Sequence, residues 1–399
     1  MSWKRTLWIL WAANFIVMAG TSLVVPFLPL YIETLGIHQL ASMEQWSGWI
    51  FSAQFVTAFI FQPIWGSFAD RYGRKMMLLR AGIGMGIVTA LMGFVVAPWQ
   101  LLLLRLINGI FAGFISMAVS LQASITPDEY AGRALGTLQT GSIAGALIGP
   151  VIGGVLAEAF GFKGVFFLTG ALLLLASIVV MIFVKENHQK IEKGKVQVKR
   201  EWGLLMPLMP VFIASIVTQA GMMSIEPIVT IYAKTIYHGR HLAIMAGLVV
   251  ATSGVANLIG APTLGRLGDR IGQRKVLIVA LIMAAVTYLP QALAHGIGTL
   301  LVGRFLLGLF IGGMIPSLNA LVKKMAPNNM QATAFGLNSS SLFLGNLIGP
   351  LIGSSIAAAY TIRDVFYVTM SILVANAMIL IWNRSIDHAD HNHPINQRA

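Results

Sequence analysis

GSFADRYGRK, from Gly66 to Lys75, comes back 199 residues later as GRLGDRIGQR, from Gly265 to Arg274. The correspondence extends outward from that pair. Pro63 and Pro262, Asp70 and Asp269, Arg71 and Arg270, Gly73 and Gly272, and Arg105 and Arg304 all share the offset. With one added residue of spacing, Pro127 meets Pro327, Gly136 meets Gly336, Gly145 meets Gly345, and Gly149-Pro150 meets Gly349-Pro350. A period this long, sustained over nearly the whole chain, marks two related halves rather than a short structural repeat.

Composition names the solvent. Hydrophobic residues make up 57% and charged residues only 10%, with a mean hydropathy of +0.79, whereas a soluble domain is roughly one quarter charged. The apolar runs are long and do not alternate, so they read as helices, which satisfy their own backbone in lipid, rather than as barrel strands. Spans are expected at 6–32, 46–68, 77–96, 99–122, 134–158 and 164–184, then at 206–234, 241–263, 276–294, 298–320, 330–358 and 364–383. The fold class predicted is an all-α membrane protein of 12 transmembrane helices in two pseudo-symmetric six-helix bundles. The domains expected are residues 1–184, a cytoplasmic linker over 185–204, a second bundle over 205–383, and a tail over 384–399. The first apolar run continues into Pro26-Phe27-Leu28-Pro29 without a cleavage-like end, so it reads as the first span and not as a signal peptide.

The net charge of +13 could suggest nucleic acid, but its placement argues for topology. With the amino terminus inside, only Lys163, Lys234, Arg240 and Arg363 fall in outer segments, and Arg105 and Arg304 fall within spans. The remaining basic residues are cytoplasmic, which predicts a multi-pass cell-membrane protein with both termini on the cytoplasmic side and no nucleic-acid partner. The polar stretch Lys185–Glu201 is expected to lie along anionic lipid headgroups. The tail segment Asp387–His393 holds three His and two Asp, but no spacing fixes them as ligands, so no metal and no cofactor are expected. With no cysteine in the chain, disulfides and thiol chemistry are excluded.

Three groups of residues carry the functional reading. In the duplicated loop, Gly66 and Gly73 suit close helix approach and a tight reversal, and Asp70 among Arg71, Arg74 and Lys75 can complement the positive end of a helix. The second copy offers Gly265, Asp269, Arg270 and Gly272, with Gln273 in place of Arg74. In the fifth span, Gly136, Gly145, Gly149, Pro150, Gly153 and Gly154 place glycines four apart on one face, where another backbone can approach closely. The third group is ionisable side chains inside the bilayer, each costing about 2.5–3.5 kcal/mol at mid-membrane on insertion scales. Arg105 could hold a carboxylate ionised or bond carbonyls. Glu226, just before Pro227, could carry a proton in an apolar site or sit in an outer aqueous vestibule. Glu33 is a secondary candidate at the membrane interface. Asn14, Gln54, Gln62, Asn108, Gln122, Gln219, Asn257, Asn319 and Asn338 could line a cavity or bridge helices.

On these residues the chain resembles the major facilitator superfamily. Positions 66–75 match that family's G-x-x-x-D-R-x-G-R-K loop throughout, and the Gly-Pro-x-x-Gly-Gly run of the fifth span is similar to the motif of its drug:proton antiporters. LLLLRLINGIFAG resembles the helix 4 motif around an arginine linked to proton transfer, and WKRTLWILWAANFI and RALGTLQTGSIAGALIGP resemble bacterial multidrug and fluoroquinolone exporters. The resemblance implies a monomeric secondary transporter exporting lipophilic, often cationic drugs for protons, with Asp70 docking on the start of helix 11. An acidic residue often present at the cytoplasmic end of helix 4 is replaced here by Ser124, with Asp128 and Glu129 just beyond, so that charge relay does not carry over. The alternative is a symporter importing a small polar metabolite or sugar on the same scaffold. An enzyme is not supported, since no nucleophile constellation, metal cluster or Walker loop appears.

Overall fold

Apolar segments that cannot share their backbone hydrogen bonds with lipid close into helices, and the described chain is helical throughout. The computed structural model describes residues 3–186, 202–327 and 330–383; the central linker stretch 187–201 and the tail 384–399 lie outside them, as do the side chains of Asp70 and Asp128. Helix α1 covers Trp3–Val24, and a 3-10 turn at Val25–Phe27 leads into α2 (Leu28–Thr34). Then come α3 (Leu40–Tyr72), α4 (Arg74–Met92), α5 (Pro98–Phe111), α6 (Phe114–Ile125) and α7 (Asp128–Phe183). A second 3-10 turn at Trp202–Leu208 precedes α8 (Met209–Ile236), α9 (Leu242–Ile271), α10 (Gln273–Ala292), α11 (Ile297–Met325), α12 (Gln331–Ala359) and α13 (Ile362–Trp382).

Among the described residues, ten helical stretches are long and apolar enough to cross a membrane. Two differences separate them from the spans read off the sequence. The expected spans 134–158 and 164–184 follow one another without an intervening loop within α7, as two helices that meet at a kink where Gly161 is non-helical (φ 72°). The expected span 46–68 lies within α3, which is not among the ten because Gln54, Gln62 and Pro63 dilute its apolar run.

Two compact units are formed. The first comprises residues 1–39, 49–196 and 239–251, and the second comprises 40–48, 197–238 and 252–399. In the first, α1 packs along α7, and Leu10, Val17, Leu78, Phe114, Leu121, Leu138, Leu173 and Val180 close a core. In the second, α8 packs along α12 and α10 along α11 and α13, around Leu277, Leu281, Leu318 and Leu373. α1 against α7 and α8 against α12 are the same pairing in the two halves of the repeat.

The duplicated loop is the reversal between α3 and α4 and, again, between α9 and α10. Gly73 (φ 97°, ψ 149°) and Gly272 (φ 102°, ψ 138°) take the backbone through a region that side-chain-bearing residues rarely enter. Gly66 and Gly265 do not make the close approach expected of Gly66, because open space lies where a Cβ would stand. Gly73→Ala and Gly272→Ala should therefore each lose about 1–3 kcal/mol, seen as a lowered thermal midpoint in detergent. Gly66→Ala should stay within about 0.5 kcal/mol of the parent.

Candidate functional site

At the signature loops, side chains finish what the helix ends leave open. The first amides of a helix and the last carbonyls have no partner within it. Glu186 accepts from the amide N–H of Arg74 (3.0 Å) and of Lys75 (2.8 Å), so its carboxylate caps the start of α4. Lys75 Nζ donates to Met181 O at 2.9 Å near the end of α7. Its repeat mate Arg274 donates to Leu380 O (2.9 Å from Nη2) and Ile381 O (2.8 Å) near the end of α13. The last basic residue of the motif thus ties the third helix of each half to the sixth. The departure at Gln273 has a local use: its Nε2 donates to Asp269 Oδ1 (2.9 Å), and its Oε1 accepts from Ser317 Oγ (3.0 Å) on α11. Arg71 lies over the Tyr72 ring at 5.2 Å, and Arg270 is exposed.

The glycines of the fifth span divide between two neighbours. A Cβ on Gly149 would stand 2.7 Å from Ala19 O, and Gly145 and Gly153 likewise meet the α1 backbone at Phe15 and Leu23. Gly154 instead faces Ala243 and Ile244 on the first turns of α9, where an added Cβ would stand 2.8 Å from Ile244 Cα. Gly136 has open space around it, so it takes no part in this packing. Pro150 offers its carbonyl to the close approach of Gly247.

Of the intramembrane charges, two come together. Arg304 Nη2 lies 3.6 Å from Glu226 Oε1, with side chains 3% and 20% exposed, joining α11 to α8 within the second unit. Glu226 Oε2 has no hydrogen-bond partner, and the buried Tyr288 ring lies within electrostatic reach of both charges. Arg105, the repeat mate of Arg304, meets no carboxylate among the described residues. Its Nη1 donates to Gln54 Oε1 at 2.7 Å, and its Nε and Nη2 have no partner although the residue is buried. Glu33 is half-buried at the end of α2.

The amide-bearing residues mostly bridge helices. Asn108 donates to Thr89 Oγ1, Gln122 to Trp3 O (3.4 Å), Gln219 to Asn346 Oδ1, and Asn338 to Asn319 Oδ1 while accepting from Ser215. Gln62 reaches Ser116 Oγ at 3.4 Å. Asn14 is fully buried with neither amide atom bonded, and Asn257 is half-buried.

Several structural residues carry no motif signal. The expected span 99–122 is broken at Ala112-Gly113, where Gly113 has φ 115°. Arg80 repairs the break by donating to Ile110 O (3.1 Å) and Ala112 O (3.2 Å), with its guanidinium 3.9 Å from the Trp65 ring centroid, while Trp65 Nε1 also donates to Ile110 O. Glu158 and His241 pair at 2.7 Å, and Glu158 also accepts from the Ile244 amide at the start of α9. Glu44 is buried at the start of α3. Replacing Glu186 by Ala should uncap α4 and cost about 1 kcal/mol, read as a lower thermal midpoint, with Glu186→Gln intermediate.

The sequence profile of the Major Facilitator Superfamily matches residues 10–240 and 211–399. The chain is 40% identical over 383 residues to the multidrug resistance protein MdtG of Enterobacter lignolyticus, covering 95% of this chain and 92% of that one. It is also 40% identical over 388 residues to MdtG of Salmonella arizonae, covering 96% of each. Among solved structures, a bacterial homolog of the human lysosomal transporter Spinster, inward-facing and occupied, is similar with a TM-score of 0.82 at 15% identity over 97% of this chain and 98% of that one. The nucleoside transporter NupG gives 0.79 at 14% identity over 94% and 98%. The chain belongs to the major facilitator superfamily, and it is a multi-pass secondary transporter of the cell membrane rather than an enzyme.

Proposed function

We propose that this transporter exports lipophilic, often cationic drugs in exchange for protons, acting as a monomer by alternating access of two six-helix bundles, with twelve spans and both termini cytoplasmic. The names of the relatives at 40% identity support the drug-export half of this reading. The observation that supports proton exchange is the Glu226–Arg304 pair. Both charges lie deep in helices of one unit, where an ion costs several kcal/mol to desolvate unless it is partnered. Together they are nearly neutral. A proton arriving on Glu226 cancels one charge and frees the guanidinium, so the pair cannot keep its geometry in both protonation states. A cationic drug approaching the exposed edge of Glu226 competes with that proton for the same carboxylate, and this competition is the physical basis of exchange.

Other residues fit roles around that pair. The glycine stripe of α7 on α1 and the loops at Gly66–Lys75 and Gly265–Arg274 serve as the moving seams, with Asp70 as latch. Arg105 holds Gln54 and serves as the second intramembrane cation of the coupling path, with Glu33 at its outer end. Asn257 and Gln54 offer polar contacts to a bound drug, and membrane lipids contact the basic linker. Each proton entering down the membrane potential contributes about 2.3 kcal/mol per 100 mV.

Glu226→Gln, reconstituted in proteoliposomes with an imposed pH gradient, should lose uphill drug export by at least tenfold, roughly 1.4 kcal/mol, while downhill drug movement persists. Export that keeps the parent's rate and pH dependence in Glu226→Gln would overturn the assignment.

A further inference from the structure

The ends of α3 and α9 that the charge distribution places outside are docked in matching ways. In the first unit, the opening turns of α9 lie on α7: Gly154 meets Ala243 and Ile244, and Gly247 meets Pro150 and Val151. In the second unit, the opening turns of α3 lie on α12: Gly48, the repeat mate of Gly247, meets Ser354 and would place a Cβ 2.7 Å from Pro350 O. These are the repeat mates of Gly154 and Pro150. Both contacts bring backbone against backbone, leaving no room for hydrated ions.

Each contact carries a single carboxyl on a different helix. In the first, Glu158 of α7 takes the Ile244 amide at 3.2 Å and His241 Nδ1 at 2.7 Å, so its charge is satisfied. In the second, the carboxyl is Glu44, one turn before Gly48 and at the position that Ala243 holds in the repeat; the α12 residue matching Glu158 is Ala358. Glu44 is 2% exposed. No hydrogen bond or ion pair joins it to a described residue. Helix α12 has no ionisable side chain along its whole length, and Glu44 is the only one among residues 40–48. The ionisable groups at the corresponding ends of α8 and α13 are Tyr232, Lys234, Tyr237, His238, Tyr360, Arg363, Asp364 and Tyr367, and Asp364 is engaged by Thr361.

We infer that Glu44 is a second proton-binding group of the transporter, and that the opening turns of α3 stay docked on α12 while its carboxyl is protonated. An ionised carboxylate with no cation or amide to take its charge is expelled toward water, whereas the neutral acid is tolerated in the contact. Burial pushes the Glu44 carboxyl up to about 7 from an ordinary 4.5. The sign follows from that direction. Below the ordinary carboxyl range the acid is neutral whether docked or free, and pH does not act on the contact. As pH rises from about 4.5 to about 7, only the undocked form ionises, so docking weakens. Above that range both forms are ionised and the loss is complete. The part this plays in transport rests on the antiport reading; the docking itself does not.

The chain has no cysteine, so Ser354→Cys, whose parent side chain is buried against Gly48, introduces a single thiol inside the contact. Alkylation from outside by a membrane-impermeant reagent, without drug, reads undocking at external pH 5 and 7.5. Dividing each rate by that of Ser354→Cys combined with Glu44→Gln at the same pH cancels the thiol's own titration. The ratio should rise at least about tenfold between the two pH values, as one full unit of carboxyl titration requires. It should do so equally with Glu226→Gln present, which separates this result from the fate of the Glu226 assignment. A ratio that does not change with pH would overturn the inference. If Glu44→Gln does not reach the membrane, Glu44→Met serves as the uncharged reference, with the same expected rise and the same contrary result.

Discussion

A backbone amide or carbonyl in lipid has no water to turn to, and that constraint shapes almost every specific contact of this protein. It makes the apolar runs helical, then leaves each helix end and each break in need of a donor or an acceptor. The basic residues that close the duplicated loop meet that need, Lys75 at the end of α7 and Arg274 at the end of α13. Glu186 caps the start of α4 and Glu158 that of α9. Arg80 and Trp65 take the carbonyls freed where α5 gives way to α6. Charge in this chain is thus spent first on holding helix ends, and its sparseness makes the few charges not so used conspicuous.

Examples among the described residues are Glu226, Arg304, Arg105 and Glu44. The first two neutralise each other within one unit. Arg105 keeps only a neutral amide as partner, which leaves two of its nitrogens without one. The two halves share a scaffold but not a charge distribution: the position matching Glu226 in the first half is Phe27. On the proposed reading, the carboxylate for which drug and proton compete belongs to one half alone, although the scaffold is duplicated.

Fold and family were legible because repeats, apolar length and glycine spacing are written along the chain. The reversal glycines Gly73 and Gly272 and the stripe at Gly145, Gly149 and Gly153 stand where their spacing implies. Gly66 and Gly136 were misleading, since a glycine needed for contact and one standing in open space look alike in a sequence. The Glu226–Arg304 pair was half legible: each residue stood out as an ion in an apolar run, but pairing across 78 residues depends on how α8 meets α11. Glu44 and Glu158 gave no signal, because both sit where a sequence reading places ordinary interfacial acids. What distinguishes them is the partner found, or not found, on another helix.

The central claim is that proton and drug compete for the Glu226 carboxylate. Proton release on drug binding tests it most directly: the detergent-solubilised protein is mixed with a cationic drug in weakly buffered solution containing a pH indicator. The parent should release protons in proportion to drug bound, more as the starting pH falls, and Glu226→Gln should bind drug with none released. Equal release from parent and Glu226→Gln would contradict the account.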